Sequence, residues 1–146
     1  MDVSASLSKK RGSCWGVYET TLRKDARVHI PEHFRRCLGE EVVMVCFKDR
    51  TIRVLPVDLL EEWRAALLSE GPSQGRSASA VRTMLAGAEF GYFDSEGCLA
   101  LTAAHREWAA LSPQTSLRIL GVGDTIEIWS QAEWEVYQLS DLKERW

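Results

Sequence analysis

Thr51-Ile52-Arg53-Val54-Leu55-Pro56 and Thr125-Ile126-Glu127-Ile128-Trp129-Ser130 are two versions of one segment, 74 residues apart. Each reads as a strand, and each runs into a helix-like stretch, the first ending in Trp63 and the second containing Trp134. An apolar strand candidate lies upstream of each, Val42 to Phe47 in one case and Leu117 to Gly121 in the other. Further upstream, Arg27-Val28-His29-Ile30-Pro31 aligns with Cys98-Leu99-Ala100-Leu101-Thr102 at an offset of 71. A small insertion around Pro113 to Ser116 accounts for the change of three. Self-similarity at a fixed spacing marks a duplicated unit.

Each copy then has the same order. A strand, a tight turn and a second strand lead into a short helix, Glu32 to Leu38 or Ala103 to Leu111. A hairpin follows, turned at Lys48-Asp49-Arg50 or at Gly121-Val122-Gly123-Asp124, and an amphipathic helix closes the unit. In the first copy Leu59, Leu60, Trp63 and Leu67 share a helical face. In the second, Ser130 and Glu133 have capping-box spacing ahead of Trp134 and Tyr137. Both stripes read as core packing. Gly71 to Ser77 is a loop by composition, and Ala78 to Ala88 a helix turning Val81, Met84 and Leu85 inward. A unit of about 50 residues buries little apolar area alone, so the two copies are expected to share one pseudo-symmetric body. The boundaries are residues 13–68 for the first half, 69–87 for a linker with a helix, and 88–142 for the second half.

The bulk properties suit this. The chain has 146 residues, 45% hydrophobic and 27% charged, with six tryptophans for a core. No apolar run approaches the roughly 18 residues of a membrane span, and no signal-peptide pattern is present, which points to the cytoplasm. Residues 1–64 hold 12 Lys and Arg against 10 Asp and Glu, whereas residues 65–146 hold 6 against 11. A basic end, including Lys9, Lys10 and Arg11, permits a phosphate-binding patch or a merely solvated arm. Cys14, Cys37, Cys46 and Cys98 form no C-x-x-C pair and read as small buried side chains rather than disulfides or metal ligands. His29 and His33 are separated by Pro31, so they are not expected to share a helical face as zinc ligands would. No nucleophile elbow or phosphate-binding glycine loop is present, and Gly121-Val122-Gly123 reads as a hairpin turn. Neither catalysis nor a metal or other cofactor is expected.

The duplicated order, with Trp15-Gly16-Val17-Tyr18-Glu19-Thr20-Thr21-Leu22 leading to Arg27-Val28-His29-Ile30-Pro31-Glu32-His33-Phe34-Arg35, resembles the MraZ family of bacterial regulators. The second half contributes Ala86-Gly87-Ala88-Glu89 and Asp94-Ser95-Glu96-Gly97, and the resemblance runs from about Ser13 to Tyr137. It implies an α+β fold of two pseudo-symmetric, AbrB-like swapped-hairpin β-barrel halves with short helices. It also implies an Asp-x-x-Gly-Arg turn in each half, whose Arg reaches DNA and whose Gly supplies a positive φ. The first turn here is Arg23-Lys24-Asp25-Ala26-Arg27, with Arg for Asp and Ala for Gly. The second is Asp94-Ser95-Glu96-Gly97-Cys98, with Cys for Arg. Ala26 at a positive φ would be strained by about 1–2 kcal/mol unless the turn changes type. Cys98 cannot make an arginine's bidentate contact to guanine, and Asp94 and Glu96 would repel phosphate. The expectation is therefore a DNA-binding transcriptional regulator, cytoplasmic and nucleoid-associated, acting on promoters of division or cell-wall genes. Arg23, Lys24 and Arg27 would form the reading turn, at an exposed tip, with Arg35 and Arg36 on phosphates. Arg27 also reads as a solvated strand-end residue. The resemblance further implies ring-like homo-oligomers, and the alternative is a ring-forming scaffold or protein-binding module that kept the fold and lost DNA binding.

Overall fold

The computed structural model describes residues 12–70 and 78–145. The basic run Lys9 to Arg11, the loop expected at Gly71 to Ser77 and the side chain of Leu67 lie outside the described residues. The elements are β1 (Cys14–Thr21), β2 (Arg27–His29), α1 (Glu32–Leu38), β3 (Glu41–Phe47), β4 (Thr51–Pro56), α2 (Leu60–Glu70), α3 (Ala78–Ala86), β5 (Glu89–Tyr92), β6 (Cys98–Ala100), α4 (Ala103–Trp108), β7 (Ser116–Gly123), β8 (Ile126–Ser130) and α5 (Gln131–Arg145). Helix starts and stops follow local chemistry. Thr102 Oγ1 accepts from the His105 N–H at the start of α4, and Ser130 Oγ accepts from the Glu133 N–H at the start of α5. Gly39, at φ 83°, ends α1 by donating to the Arg35 carbonyl. Helix α4 stops at Trp108, three residues before Leu111, where Ala110 turns to φ 56°.

Six strands form one mixed-parentage sheet in the order β1-β7-β8-β4-β3-β5, and β2 pairs with β6 in a separate two-stranded ribbon. The order reads the same from either end once the halves are exchanged. Strand β1 of the first half completes the hairpin of the second, and β5 of the second completes the hairpin of the first. The expected barrel halves are not seen: each hairpin is finished by the other half's strand, so neither half closes on itself, and the sheet is open with β1 and β5 at its two edges.

The pairing register refines the repeat. In the ribbon Val28 faces Leu99, which are 71 apart, and in the centre of the sheet Arg53 faces Glu127, which are 74 apart. Equivalent residues thus meet each other on one pseudo-two-fold axis. Matching β3 to β7 through their partners (Val42 on Gly91, Leu117 on Thr20) gives an offset of 75. The insertion is therefore four residues long, between Ala109 and Leu117. The hairpin then gives one back: Phe47 pairs with Thr51 around three residues, while Val122 bonds to Thr125 around two, Gly123 and Asp124. Gly123 takes φ 98°, as a two-residue hairpin turn favours.

One core holds both halves. Val28, Ile30, Phe34 and Leu38 of the first meet Leu99, Leu101, Leu117 and Ile119 of the second between the ribbon, the sheet and the short helices. On the other face Val43, Val45 and Leu55 pack beneath Leu60 and Trp63 of α2, and α3 turns Val81 and Met84 onto Phe47 and Trp63. Trp108 crosses between halves, its indole N–H donating to the carbonyls of Phe47 and Thr51 at 3.0 and 2.9 Å. Contrary to the reading of four free thiols, Cys14 and Cys37 are joined in a disulfide, Cα to Cα 6.0 Å. The folding of β1 against α1 brings together two residues 23 apart in sequence. Cys46 and Cys98 are free and buried.

Gly121 is not a hairpin turn residue. It lies within β7 opposite Gly16, where a Cβ would stand 2.6 Å from the Cys14 carbonyl carbon and 2.7 Å from the Trp15 Cα. The obstacle is backbone, which cannot yield cheaply. Gly121→Ala is expected to lower unfolding free energy by about 2–4 kcal/mol, read from urea denaturation; a loss below about 0.5 kcal/mol would show that β1 can move aside.

Candidate nucleic-acid interface

The turn from β1 to β2 and the turn from β5 to β6 are neighbours because β2 and β6 pair with each other. They share one backbone design. In the first, the Ala26 N–H donates to Arg23 O and the Arg23 N–H to Arg27 O; in the second, Gly97 donates to Asp94 O and Asp94 to Cys98 O, all at 3.0 Å. Ala26 sits at φ 65° and Gly97 at φ 77°, so the alanine is held in a left-handed conformation that glycine occupies freely. The turn has not been rebuilt.

Side chains differentiate the two. Asp94 Oδ1 accepts from the N–H groups of Glu96 and Cys98, each at 2.9 Å. Arg23, in the equivalent place, cannot accept, and Asp25 Oδ1 takes the Arg27 N–H at a longer 3.3 Å. Arg35 of α1 supports the second turn: its Nε donates to Ile30 O at 2.8 Å, and the guanidinium lies where a Cβ on residue 97 would come within 2.9 Å of Cζ. The equivalent arginine in the second half is Arg106, and the place corresponding to Gly97 holds the Ala26 methyl. Among the described residues the buried Arg106 Nε has no hydrogen-bond partner.

Arg27 does not stand free at a tip. Its side chain is 30% exposed, with Nε on Asp25 Oδ2 at 2.8 Å, Nη1 on Asp94 Oδ2 at 2.5 Å and Nη2 on Glu96 Oε2 at 3.3 Å. Arg23 Nη1 reaches the same Glu96 oxygen at 2.7 Å. These bonds hold the Arg27 guanidinium well above its ordinary pKa, chiefly through Asp25 and Asp94, and raise that of Arg23 through Glu96. They also hold the Asp25 carboxyl below its usual range through Arg27, and that of Asp94 through the Cys98 N–H first and Arg27 after it. Burial pushes up the Cys98 thiol, which fills Arg27's equivalent position. Lys24 is exposed beside this cluster. Arg36 is exposed and pairs with Glu32 at 3.1 Å.

The structure therefore brings Arg23, Lys24 and Arg27 together and sets Arg35 and Arg36 behind them on α1. Those two line a groove of about 540 Å³ with Glu32, Glu40, Tyr92 and Asp94. Reading Asp94 and Glu96 as phosphate repellents missed their part as partners of the first turn's arginines. The signal was available, since the offset of 71 places Glu96 and Asp25 in equivalent positions and the two turns carry opposite charge.

Fold and turns together define a two-repeat α+β protein whose halves exchange strands and appose two charged turns. A family model described as "MraZ protein, putative antitoxin-like" matches residues 84–145. Similar proteins along most of the chain include one named transcriptional regulator MraZ from Leuconostoc mesenteroides, 32% identical over 84% of each chain. Others of the same name are from Alkaliphilus oremlandii, 34% identical over 86% of this chain and 87% of its own, and Natranaerobius thermophilus, 35% over 84% and 85%. The chain belongs to the MraZ family.

Two reciprocal substitutions test the turn geometry. Ala26→Gly should stabilise by about 1 kcal/mol by removing the left-handed strain, while Gly97→Ala should destabilise by more, since it adds the same strain and displaces Arg35. Equal and opposite effects in chemical denaturation would leave Arg35 without a supporting part.

Proposed function

We propose that this protein is a sequence-specific, DNA-binding transcriptional regulator of the MraZ type that works as a ring-like homo-oligomer. The observation that carries the reading is the first turn. It gathers Arg23, Lys24 and Arg27 on one backbone-fixed loop at the protein surface. Relatives over four-fifths of the chain bear the name transcriptional regulator. In this reading Arg23, Lys24 and Arg27 face the duplex, Arg27 reads a base edge, and Arg36, with the remaining N–H groups of Arg35, holds phosphates. The function is binding, without catalysis, in the cytoplasm at the nucleoid. Its targets are promoters of division or cell-wall genes. The fold is the swapped-hairpin type, supported by the palindromic strand order.

One reading turn per chain binds weakly, and assembly compensates by presenting several copies to one DNA segment. The sheet edges favour assembly. Trp15 on β1 is 77% exposed and Tyr92 on β5 is 67% exposed, with Val17 and Phe90 beside them. An unpaired edge carrying apolar side chains is a poor solvent surface. Contact of one copy's β1 edge with the next copy's β5 edge is head-to-tail and closes a ring when the rotation allows. The second reading, a ring that no longer binds DNA, is favoured by Cys98 in the second reading position and by the carboxylates on Arg27.

Duplex binding measured against salt separates the two. A regulator loses affinity steeply as salt rises, and Arg27→Ala weakens binding by about 1–3 kcal/mol and flattens the slope by about one. Assembly without duplex binding at low salt establishes the scaffold. Independently, Trp15→Glu with Tyr92→Glu should reduce the mass in solution to one chain by light scattering; an unchanged mass would place the contacts elsewhere.

A further inference from the structure

We propose that the second turn is a built-in competitor for the DNA-facing side chains of the first, with Glu96 as the residue that sets its strength. The proposal rests on the DNA-binding reading above. Residues 23–27 carry a net charge of two positive, and residues 94–98 carry two negative charges and no positive one. The β2–β6 pairing holds these stretches side by side, so they meet as opposite charges. One carboxylate oxygen of Glu96 bridges both guanidinium groups, 2.7 Å from Arg23 Nη1 and 3.3 Å from Arg27 Nη2. Any DNA acceptor on the same donors would have to take its place.

The four carboxylates in and beside the cluster are not equivalent. Asp94 has a structural duty, accepting two backbone N–H groups of its own turn. Asp25 holds the backbone and Nε of Arg27 within the first turn. Glu32 belongs to Arg36 on the neighbouring helix. Glu96 has its carboxylate on the two arginines across the turn boundary, and it is 56% exposed. An ion pair that open to water adds little to folding, so losing it should leave the protein folded. Its effect on binding is larger. Arginines already neutralised by an internal carboxylate release fewer counterions when they meet DNA, which lowers affinity and flattens the salt dependence.

The test uses the full chain and a random-sequence duplex titrated across a salt series. Wild type, Glu96→Gln, Glu96→Asp, Arg23→Ala, Arg27→Ala and the Arg23→Ala/Glu96→Gln double variant are compared. Glu96→Gln should bind about three- to tenfold more tightly at about 0.1 M salt, with a log–log slope steeper by about one. Glu96→Asp, with its shorter reach, should fall between it and wild type. The gain from Glu96→Gln should shrink in the Arg23→Ala background, and melting temperatures should stay close to wild type. If Glu96→Gln matches wild type in affinity and slope while Arg27→Ala weakens binding, the competitor is overturned and the regulator stands. If no variant binds duplex even at low salt, the regulator reading falls and the competitor with it.

Discussion

The antiparallel pairing of β4 with β8 is the contact on which the single sheet depends. Three residue pairs make it, with Arg53 facing Glu127 at the centre. On either side lie three-stranded sheets of mixed origin, β1-β7-β8 and β4-β3-β5. The Arg53–Glu127 ion pair at the seam is largely shielded from water, Arg53 lies 4.1 Å over the Phe47 ring, and the Trp129 indole N–H holds the other Glu127 oxygen at 3.1 Å. Pairs this sheltered are costly to break, since removing one partner strands the other charge. Residues on a two-fold axis face their own equivalents. In a dimer of identical chains position 53 would meet another copy of itself, arginine against arginine, and like charges directly opposite destabilise a sheet. Duplication within one chain removes that restriction, and the seam uses the freedom by setting opposite charges on the axis.

The same freedom shapes the turns. Arg23 is equivalent to Asp94, Asp25 to Glu96, Ala26 to Gly97 and Arg27 to Cys98. Backbone hydrogen bonds are preserved at both turns, so the divergence lies in side chains laid over one conformation. The second turn kept the residues that make the conformation easy, Asp94 and Gly97. The first kept the arginine and accepted strain at Ala26. One turn is thus the better folded and the other the more basic.

Much of the framework was legible in the sequence, because it is written in local signals. The offsets of 71 and 74, the two hairpins and the Ser130 cap follow from the sequence itself, although the second hairpin turns at Gly123-Asp124 rather than from Gly121. The positive φ at residue 26 came with the family resemblance. What was not legible concerns which distant pieces meet. Strand periodicity does not say whether β1 completes its own half's hairpin or the other's, so separate barrel halves and a shared open sheet predict the same alternation. Arg27 looked free because its turn was read alone; Asp94 and Glu96 reach it only because β2 pairs with β6. Cys14 and Cys37 looked like isolated apolar residues because nothing local brings β1 onto α1.

That disulfide also answers a problem the strand exchange creates. Strand β1 is hydrogen-bonded to β7 of the second half along all eight of its residues, and by backbone pairing alone it belongs to that half. Cys14 at its start is covalently tied to Cys37 at the end of α1, in the first half. Closing a loop of 23 residues removes unfolded-chain entropy worth about 3 kcal/mol in the loop-closure account, and here it also fixes an edge strand that has a neighbour on one side alone among the described residues. The second half holds the approach to its own exchanged strand by a hydrogen bond, His105 Nε2 of α4 lying 2.6 Å from the Gly87 carbonyl, two residues before β5. Trp108 takes the position of Cys37, and its indole N–H reaches across to the first half's hairpin at Phe47 and Thr51. Position 37 and its equivalent 108 thus carry unlike ties, the disulfide holding β1 to its own half and the indole clamping the partner half's hairpin. The two ties therefore restrain different parts of one interlocked body, alongside the ribbon, the central seam and the shared core.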